Sequence, residues 1–356
     1  MNLDDLRQRI DELDVRLVKT IAQRMQLSRQ IGKEKLELGK PIEDRARENA
    51  VLEAVIRLAR EEQINPEEIE KIYQRIFIAS KEIQGITVAF QGELGAYSEE
   101  AAYQYFGAFS QLKPCESLED AFQAVEIRDA QYGLVPVENS LEGSVPRTYD
   151  LLLDSSLRVA GETQLRVVHC LIGRPEATID SIREVFSHTQ ALGQCKAFLR
   201  KMGWKANPAY DTAGAVKMVK DSGRLDYAAI ASARAADIYG MKILARGIED
   251  NTNNFTRFFV LARQDAPPSG NDKTSLVFSV KHTPGALYSA LKGLADRKIN
   301  LTRIESRPTR QKAWEYNFYV DIEGHRLDEN IKTGFKELEE HAIFVKILGS
   351  YPKYRA

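Results

Sequence analysis

The sequence predicts a chain in three parts: an all-α segment, an α/β segment and an α+β segment. Three observations predict it. The first 84 residues hold two of the 22 glycines and two of the 12 prolines, so turns belong to the remainder. Short apolar runs then alternate with helical periodicity, as a mostly parallel α/β architecture requires. Beyond a polar Pro/Gly linker at 265–272 follows β-α-β-β-α-β, the split βαβ of a ferredoxin-like fold. The expected domains are 1–84, 86–263 and 273–351, in line with 356 residues at roughly 150 per domain.

In the first segment Leu3, Leu6, Ile10, Leu13, Leu17 and Ile21 step by three or four, and Leu27 and Ile31 extend the row. They predict one amphipathic helix to about Leu38, some 54 Å long. So short a domain cannot cover such a helix, and a second copy is expected along it. Gly39-Lys40-Pro41 ends it; a second helix is expected over 43–62. A third opens at Asn65-Pro66-Glu67-Glu68, with Asn65 as cap and Glu68 completing a capping box.

Gly85 is the linker into the second segment. Apolar runs at 86–90, 132–137, 167–172, 185–186, 228–231 and 258–262 predict its strands, arranged as two lobes around a cleft. In the third, strands are expected at 274–281, 301–306, 316–322 and 343–348, with helices at 285–297 and 328–340.

Composition excludes several classes. With 50 basic and 51 acidic residues, a nucleic-acid binder is not expected. Mean hydropathy of −0.37 and no apolar run near 18 residues exclude a membrane helix. The acidic, amphipathic start MNLDDLRQRI does not read as a signal peptide. Cys115, Cys170 and Cys195 are spaced for neither a disulfide framework nor a metal. A cytoplasmic chain without metal or cofactor is expected.

Polar spacings mark candidate sites. Arg24 and Lys35 lie three helical turns apart on one stripe, whereas Arg7 lies about 100° off it and is better placed to reach a neighbouring molecule. Asp44, Arg47 and Glu48 share one face of the second helix; Ser80 and Gln84 share one of the third. Taken singly, each is more simply a solvated, salt-bridging face. Together, Leu6-Arg7, Arg24, Gly32-Lys33-Glu34-Lys35, Asp44-Arg45-Ala46-Arg47-Glu48, Ser80 and Gln84 resemble the all-helical chorismate mutase class, an intertwined dimer. Its rearrangement of a dicarboxylate needs positioning and electrostatics rather than a nucleophile. The resemblance implies that Arg24, Arg47 and a partner's Arg7 clamp the carboxylates. It puts Lys35 and Gln84 on the ether oxygen, Glu48 and Asp44 near the ring hydroxyl, and Ser80 against the substrate.

In the second segment Gly92-Glu93-Leu94-Gly95-Ala96-Tyr97-Ser98 is a Gly-rich turn that suits an anion, with Ser98 as helix cap, though such a turn alone is weak. Glu138-Asn139-Ser140, Ser187-His188-Thr189-Gln190 with Gln194-Cys195, and Asn254-Phe255-Thr256-Arg257-Phe258 flank predicted strands. Alone, His188 is as readily a helix cap and Cys195 a small buried hydrophobe. As an ordered set they resemble prephenate dehydratase, with a periplasmic-binding-protein-like, two-lobed fold. The resemblance implies Thr256 as donor to the leaving hydroxyl, as loss of water and CO2 requires. It implies that Glu138, Asn139, Ser140, Ser187, His188, Gln190, Gln194, Thr212 and Arg257 hold prephenate. Only Thr212 carries over from Asp211-Thr212-Ala213-Gly214-Ala215, where relatives often have a Ser/Thr-rich turn.

In the third segment Thr283-Pro284-Gly285-Ala286-Leu287 and Glu305-Ser306-Arg307-Pro308 could be a helix start and an edge-strand stop. They resemble the ACT domain of phenylalanine-regulated dehydratases, which implies L-phenylalanine bound by Gly285, Ala286, Leu287, Glu305, Ser306 and Arg307 where two such domains pair. Tyr288 stands where valine is more usual. The implied function is a bifunctional enzyme from chorismate through prephenate to phenylpyruvate, under phenylalanine control, in a homodimer or larger homo-oligomer. Two rivals stay open: a monofunctional dehydratase whose helices only dimerise, and a two-lobed solute sensor without chemistry.

Overall fold

A computed structural model describes residues 2–37, 44–83, 85–107, 110–309 and 315–354. The chain divides into two compact units, 1–87 with 106–111, and 88–105 with 112–356.

In the first unit α1 (Leu3–Glu37), α2 (Arg45–Glu61) and α3 (Pro66–Ile83) match the three expected helices. Asp44 caps α2, its side chain accepting from Arg47 N (3.0 Å). Asn65 Oδ1 accepts from Glu67 N (3.0 Å), but the expected capping box is not formed. Glu68 instead takes Lys71 Nζ one turn on (2.7 Å), because a lysine at i+3 competes for the carboxylate.

The second unit carries two five-membered strand paths and a four-stranded sheet. The first lobe orders β2 (Gln111–Cys115), β1 (Thr87–Gln91), β3 (Tyr132–Asn139), β11 (Phe255–Ala262) and β5 (Arg158–Arg166), with β4 (Gly143–Ser144) on β3. The second orders β10 (Lys242–Arg246), β6 (Cys170–Gly173), β9 (Tyr227–Ala231), β7 (Glu184–His188) and β8 (Lys205–Ala209). Helices α4 (Tyr97–Phe106), α5 (Leu118–Glu126) and α6 (Pro146–Asp154) precede the second lobe in sequence. Helices α7 (Thr189–Gln194), α8 (Lys196–Met202), α9 (Thr212–Ser222) and α10 (Ala233–Tyr239) belong to it.

Pairing is mixed, which corrects the expectation of a mostly parallel sheet. β1 with β3 and β7 with β8 and β9 are parallel. β11 runs antiparallel between β3 and β5, and β6 runs antiparallel between β9 and β10. The cause is topological: the chain crosses to the second lobe after β5 and returns after β10, so β11 enters the first sheet from the opposite end.

The third sheet orders β13 (Leu301–Pro308), β14 (Tyr316–Glu323), β12 (Asp272–Ser279) and β15 (Phe344–Pro352), with α11 (Ala286–Asp296) and α12 (Glu329–His341). One face packs on both helices through Leu276, Phe278, Val320 and Leu294. The other packs on the first lobe: Val277, Tyr319, Leu348 and Tyr351 share a core with Val135, Val159 and Phe259. Gly349 permits the approach, since a Cβ there would lie 2.1 Å from Val159 O.

Candidate active sites

In the helical unit, Arg24 on α1 donates to Ser80 Oγ on α3 and lies 5.7 Å from the Phe77 ring centroid. Ser80 in turn donates to Ile76 O (2.7 Å). Glu48 on α2 pairs with Lys81 (3.2 Å), a cation the sequence reading did not single out although it adjoins Ser80. Asp44 is an exposed cap rather than a member of this group, and Arg47 is exposed. Arg7 pairs with Asp4 (3.4 Å) in solvent. Seventeen residues from Arg24, it lies about 26 Å along the helix. The side chain of Lys35, and all of Gln84, fall outside the described residues.

In the two-lobed unit a chain of hydrogen bonds joins elements far apart in sequence. Asn139, ending β3, donates through Nδ2 to Thr256 Oγ1 on β11 (3.1 Å) and to Asn254 Oδ1 (2.8 Å). Asn254 Nδ2 donates to Gln194 Oε1 on α7 (2.8 Å), and His169 Nε2 meets that same oxygen at 2.8 Å. Tyr97, opening α4, lies 2.8 Å from His169 Nδ1. Asn139, Asn254, Gln194 and His169 are all buried. Burial pushes the His169 pKa below its usual value, against the Gln194 bond and the Glu249 carboxylate.

This chain gathers the expected residues Asn139, Thr256 and Gln194. Ser140 sits beside it, its hydroxyl donating to Asn253 O (2.7 Å) and accepting from Phe255 N (2.9 Å). His169, Tyr97 and Asn254 were not assigned from sequence, although Tyr97 and Asn254 fell within recognised segments. His188 caps α7, accepting from Gln190 N (3.3 Å), and both residues are exposed. Thr212 opens α9 behind the cap Asp211, whose carboxyl burial pushes up.

Several expected positions have other partners in the structure. Ser187 is fully buried and donates to Ile230 O (2.6 Å), tying β7 to β9. Glu138 and Arg257 precede Asn139 and follow Thr256, so strand alternation turns them to the opposite face of the sheet. There Arg257 binds Glu162 (2.7 Å), Asp321 (2.6 Å) and Tyr351 Oη (3.2 Å), and Glu138 binds Arg303 (3.2 Å). Burial alone would lower the Arg257 pKa; Asp321, Tyr351 and Glu162 outweigh it and hold the guanidinium charged. The Gly-rich turn is no open anion site either. Glu99 takes Gly95 N (2.7 Å), Ser232 donates to Gly95 O (2.7 Å), and a Cβ at Gly95 would stand 2.7 Å from Ala235 Cα. Ser98 lies inside α4 rather than capping it.

In the third sheet Gly285, in the left-handed conformation, caps α11, followed by Ala286 and Leu287. Ser306 lies opposite Phe318, on the helix-covered face, and Glu305 opposite Tyr319, on the face toward the lobe. Glu305 accordingly accepts from Ser144 Oγ (2.6 Å) and pairs with Arg303, while Arg307 pairs with Asp150 (3.0 Å). Alternation along β13 thus turns Glu305 and Arg307 to the face opposite Ser306.

Comparison with known proteins follows this layout. The chorismate mutase type II model matches residues 6–85, the prephenate dehydratase model 88–266 and the ACT domain model 274–340. A bifunctional chorismate mutase/prephenate dehydratase of Aquifex aeolicus is 39% identical over 357 residues, covering 99% of this chain and 98% of the relative. An arogenate dehydratase/prephenate dehydratase of Arabidopsis thaliana is 45% identical, over 75% of this chain and 73% of its own. Among solved structures, a prephenate dehydratase from Arthrobacter aurescens in complex with L-Phe is 30% identical with a TM-score of 0.70, over 75% of this chain and 90% of that one.

Proposed function

The chain belongs to the bifunctional chorismate mutase/prephenate dehydratase family, and from that membership we propose how its residues carry both reactions and their control. It rearranges chorismate to prephenate and converts prephenate to phenylpyruvate with loss of water and CO2.

For the rearrangement, Arg24 and Arg47 bind substrate carboxylates by their bidentate forks. Arg7 of the partner subunit completes the clamp, a role favoured by the distance between Arg7 and Arg24 along one helix. Lys35 and Gln84 stabilise the ether oxygen as its C–O bond breaks, and Glu48 meets the ring hydroxyl.

For the dehydration, Thr256 protonates the departing hydroxyl as the ring carboxylate leaves as CO2 and its electron pair moves through the ring. The proton lent is restored from water. The observation that carries this reading is the bond from Asn139 Nδ2 into Thr256 Oγ1. A hydroxyl oxygen that accepts is polarised toward donating its own proton. Prephenate is held by Asn139, Ser140 and Gln194 of the same cluster and by His188, Gln190 and Thr212 of the second lobe.

L-Phenylalanine binds the third sheet around Gly285, Ala286, Leu287 and Ser306 and inhibits dehydration. Glu305, Arg307, Glu138 and Arg257 carry its effect to the site strands. The enzyme acts as a homodimer or larger homo-oligomer in the cytoplasm; three buried free cysteines suit a reducing compartment.

The test supplies chorismate and prephenate separately, with and without phenylalanine. Thr256→Ala should lose phenylpyruvate formation by at least about a hundredfold while prephenate formation from chorismate persists. Retention of dehydration would remove Thr256 from the chemistry.

A further inference from the structure

We propose that His169 and Tyr97 are positioning residues of the dehydratase. Tyr97 holds the His169 ring as its Nε2–H tautomer, and that ring fixes the amides of Gln194, Asn254 and Asn139 that present the Thr256 hydroxyl. The proposal rests on the reading of Thr256 as the donor.

The direction of every bond in the chain follows from its backbone end. Asn139 Oδ1 accepts from Leu141 N (3.0 Å) and Glu142 N (3.1 Å), so its other terminus is the donating amide. That amide donates to Asn254 Oδ1, which turns Asn254 Nδ2 toward Gln194. The Gln194 terminus between Asn254 and His169 must then be oxygen, already accepting from Asn254. His169 can bond to an oxygen only by donating, so its proton sits on Nε2. In the neutral ring Nδ1 is then bare, and Tyr97 Oη donates to it at 2.8 Å. Val168 O stands 2.9 Å from the same hydroxyl, so Tyr97 has a second place to donate if Nδ1 gains a proton. The ring is 2% exposed, and burial keeps it neutral against the pull of Glu249, which accepts the His169 backbone N–H (3.0 Å).

Position adds to geometry. His169 lies between β5 and β6, and Asn254 between β10 and β11, the two segments that cross between the lobes. These segments pair with each other through Val167 N to Asn254 O (2.8 Å) and Gly247 N to His169 O (3.0 Å). Gln194 belongs to the second lobe, Asn139 and Thr256 to the first. The His169 ring therefore braces the point where the lobes join, behind groups that contact substrate, and touches no reacting atom itself.

The experiment uses the full-length enzyme. Long-range 1H–15N correlation of labelled histidine should show the His169 ring neutral and protonated on Nε2 near neutral pH. His169→Phe should lower kcat for prephenate roughly ten- to hundredfold, with a smaller change in KM and undiminished chorismate rearrangement. His169→Gln, whose amide can donate, should recover most of the loss. Tyr97→Phe should populate both tautomers and lower kcat less than His169→Phe. A ring that is charged or protonated on Nδ1 overturns the proposal, as does a folded His169→Phe enzyme with near-normal kcat. If His169→Phe fails to fold, the tautomer and Tyr97→Phe decide. Thr256→Ala run in parallel separates the two ideas: activity retained there defeats the donor reading, whereas activity retained only in His169→Phe defeats the positioning role alone.

Discussion

His169 illustrates how one residue writes itself into the pH dependence of the fold. Its ring meets Tyr97 and Gln194 while its backbone N–H donates to Glu249, and burial is the largest cause of its lowered pKa. The unfolded chain protonates near the ordinary value of 6.5, the folded chain only at lower pH. Below 6.5 the unfolded state therefore binds more protons, and stability contributed by the neutral ring is lost as pH falls toward the folded value. For one proton the loss is at most about 1.4 kcal/mol per pH unit. Urea midpoints at mildly alkaline and mildly acidic pH should diverge more for the wild type than for His169→Gln. Equal slopes would mean that the ring does not titrate below its usual range.

At the scale of elements, β3 and β11 each serve two masters. Asn139 and Thr256 bond to each other on one face, while their neighbours Glu138 and Arg257 reach the third sheet from the other. Asp321, on β14, is buried; burial raises its pKa, but Arg257 and the Ser275 bond outweigh that and keep the carboxylate ionised. A ligand on the third sheet can thus bias the strands that carry Asn139 and Thr256. Asp321→Asn preserves shape and removes the charge from this contact. Coupling between sites is typically 1–3 kcal/mol, so the phenylalanine concentration for half-inhibition should rise about fivefold or more while uninhibited turnover changes little. Unaltered inhibition would place the coupling elsewhere. Deleting Arg257 itself is a poorer probe, because the buried Asp321 carboxylate would lose its ion-pair partner, costing about 3–5 kcal/mol.

The same strands show what was legible in sequence. Helix α1 and the strand expected at 132–137, which extends to Asn139, were readable from periodicity and from an unbroken apolar run. β5 was not, because Arg158–Arg166 buries Glu162 and Thr163, and their partners Arg257, Lys273 and Gln104 come from 59 to 111 residues away. Thr256 and Asn139 were readable as motif positions, but the face that Arg257 and Glu138 take depends on pleat and on what packs behind the sheet. His169 lies in no recognisable motif. Its meaning comes from Gln194, Asn254 and Tyr97 meeting around it, which no local pattern announces.

For the whole molecule the governing fact is α1. Its 35 residues extend about 52 Å. Leu3, Leu6, Ile10, Leu13, Leu17, Leu27 and Ile31 remain 44–62% exposed along it. Fully burying one such side chain is worth about 1.5–3 kcal/mol, so the row favours pairing with a second copy. The proposed clamp makes the same demand from chemistry: if Arg7 and Arg24 hold one small dicarboxylate, they must come from two copies of the helix. Pairing and rearrangement should therefore fail together. Leu13→Lys puts a charge in the middle of the row in both copies. Sedimentation velocity should show dissociation at concentrations where the wild type stays associated. Chorismate rearrangement should fall and become dependent on protein concentration, while dehydration of added prephenate continues, because the Asn139–Thr256 cluster is built wholly from the other compact unit. A wild-type protein that is monomeric yet rearranges chorismate at full rate would show that Arg7 acts within its own chain or not at all.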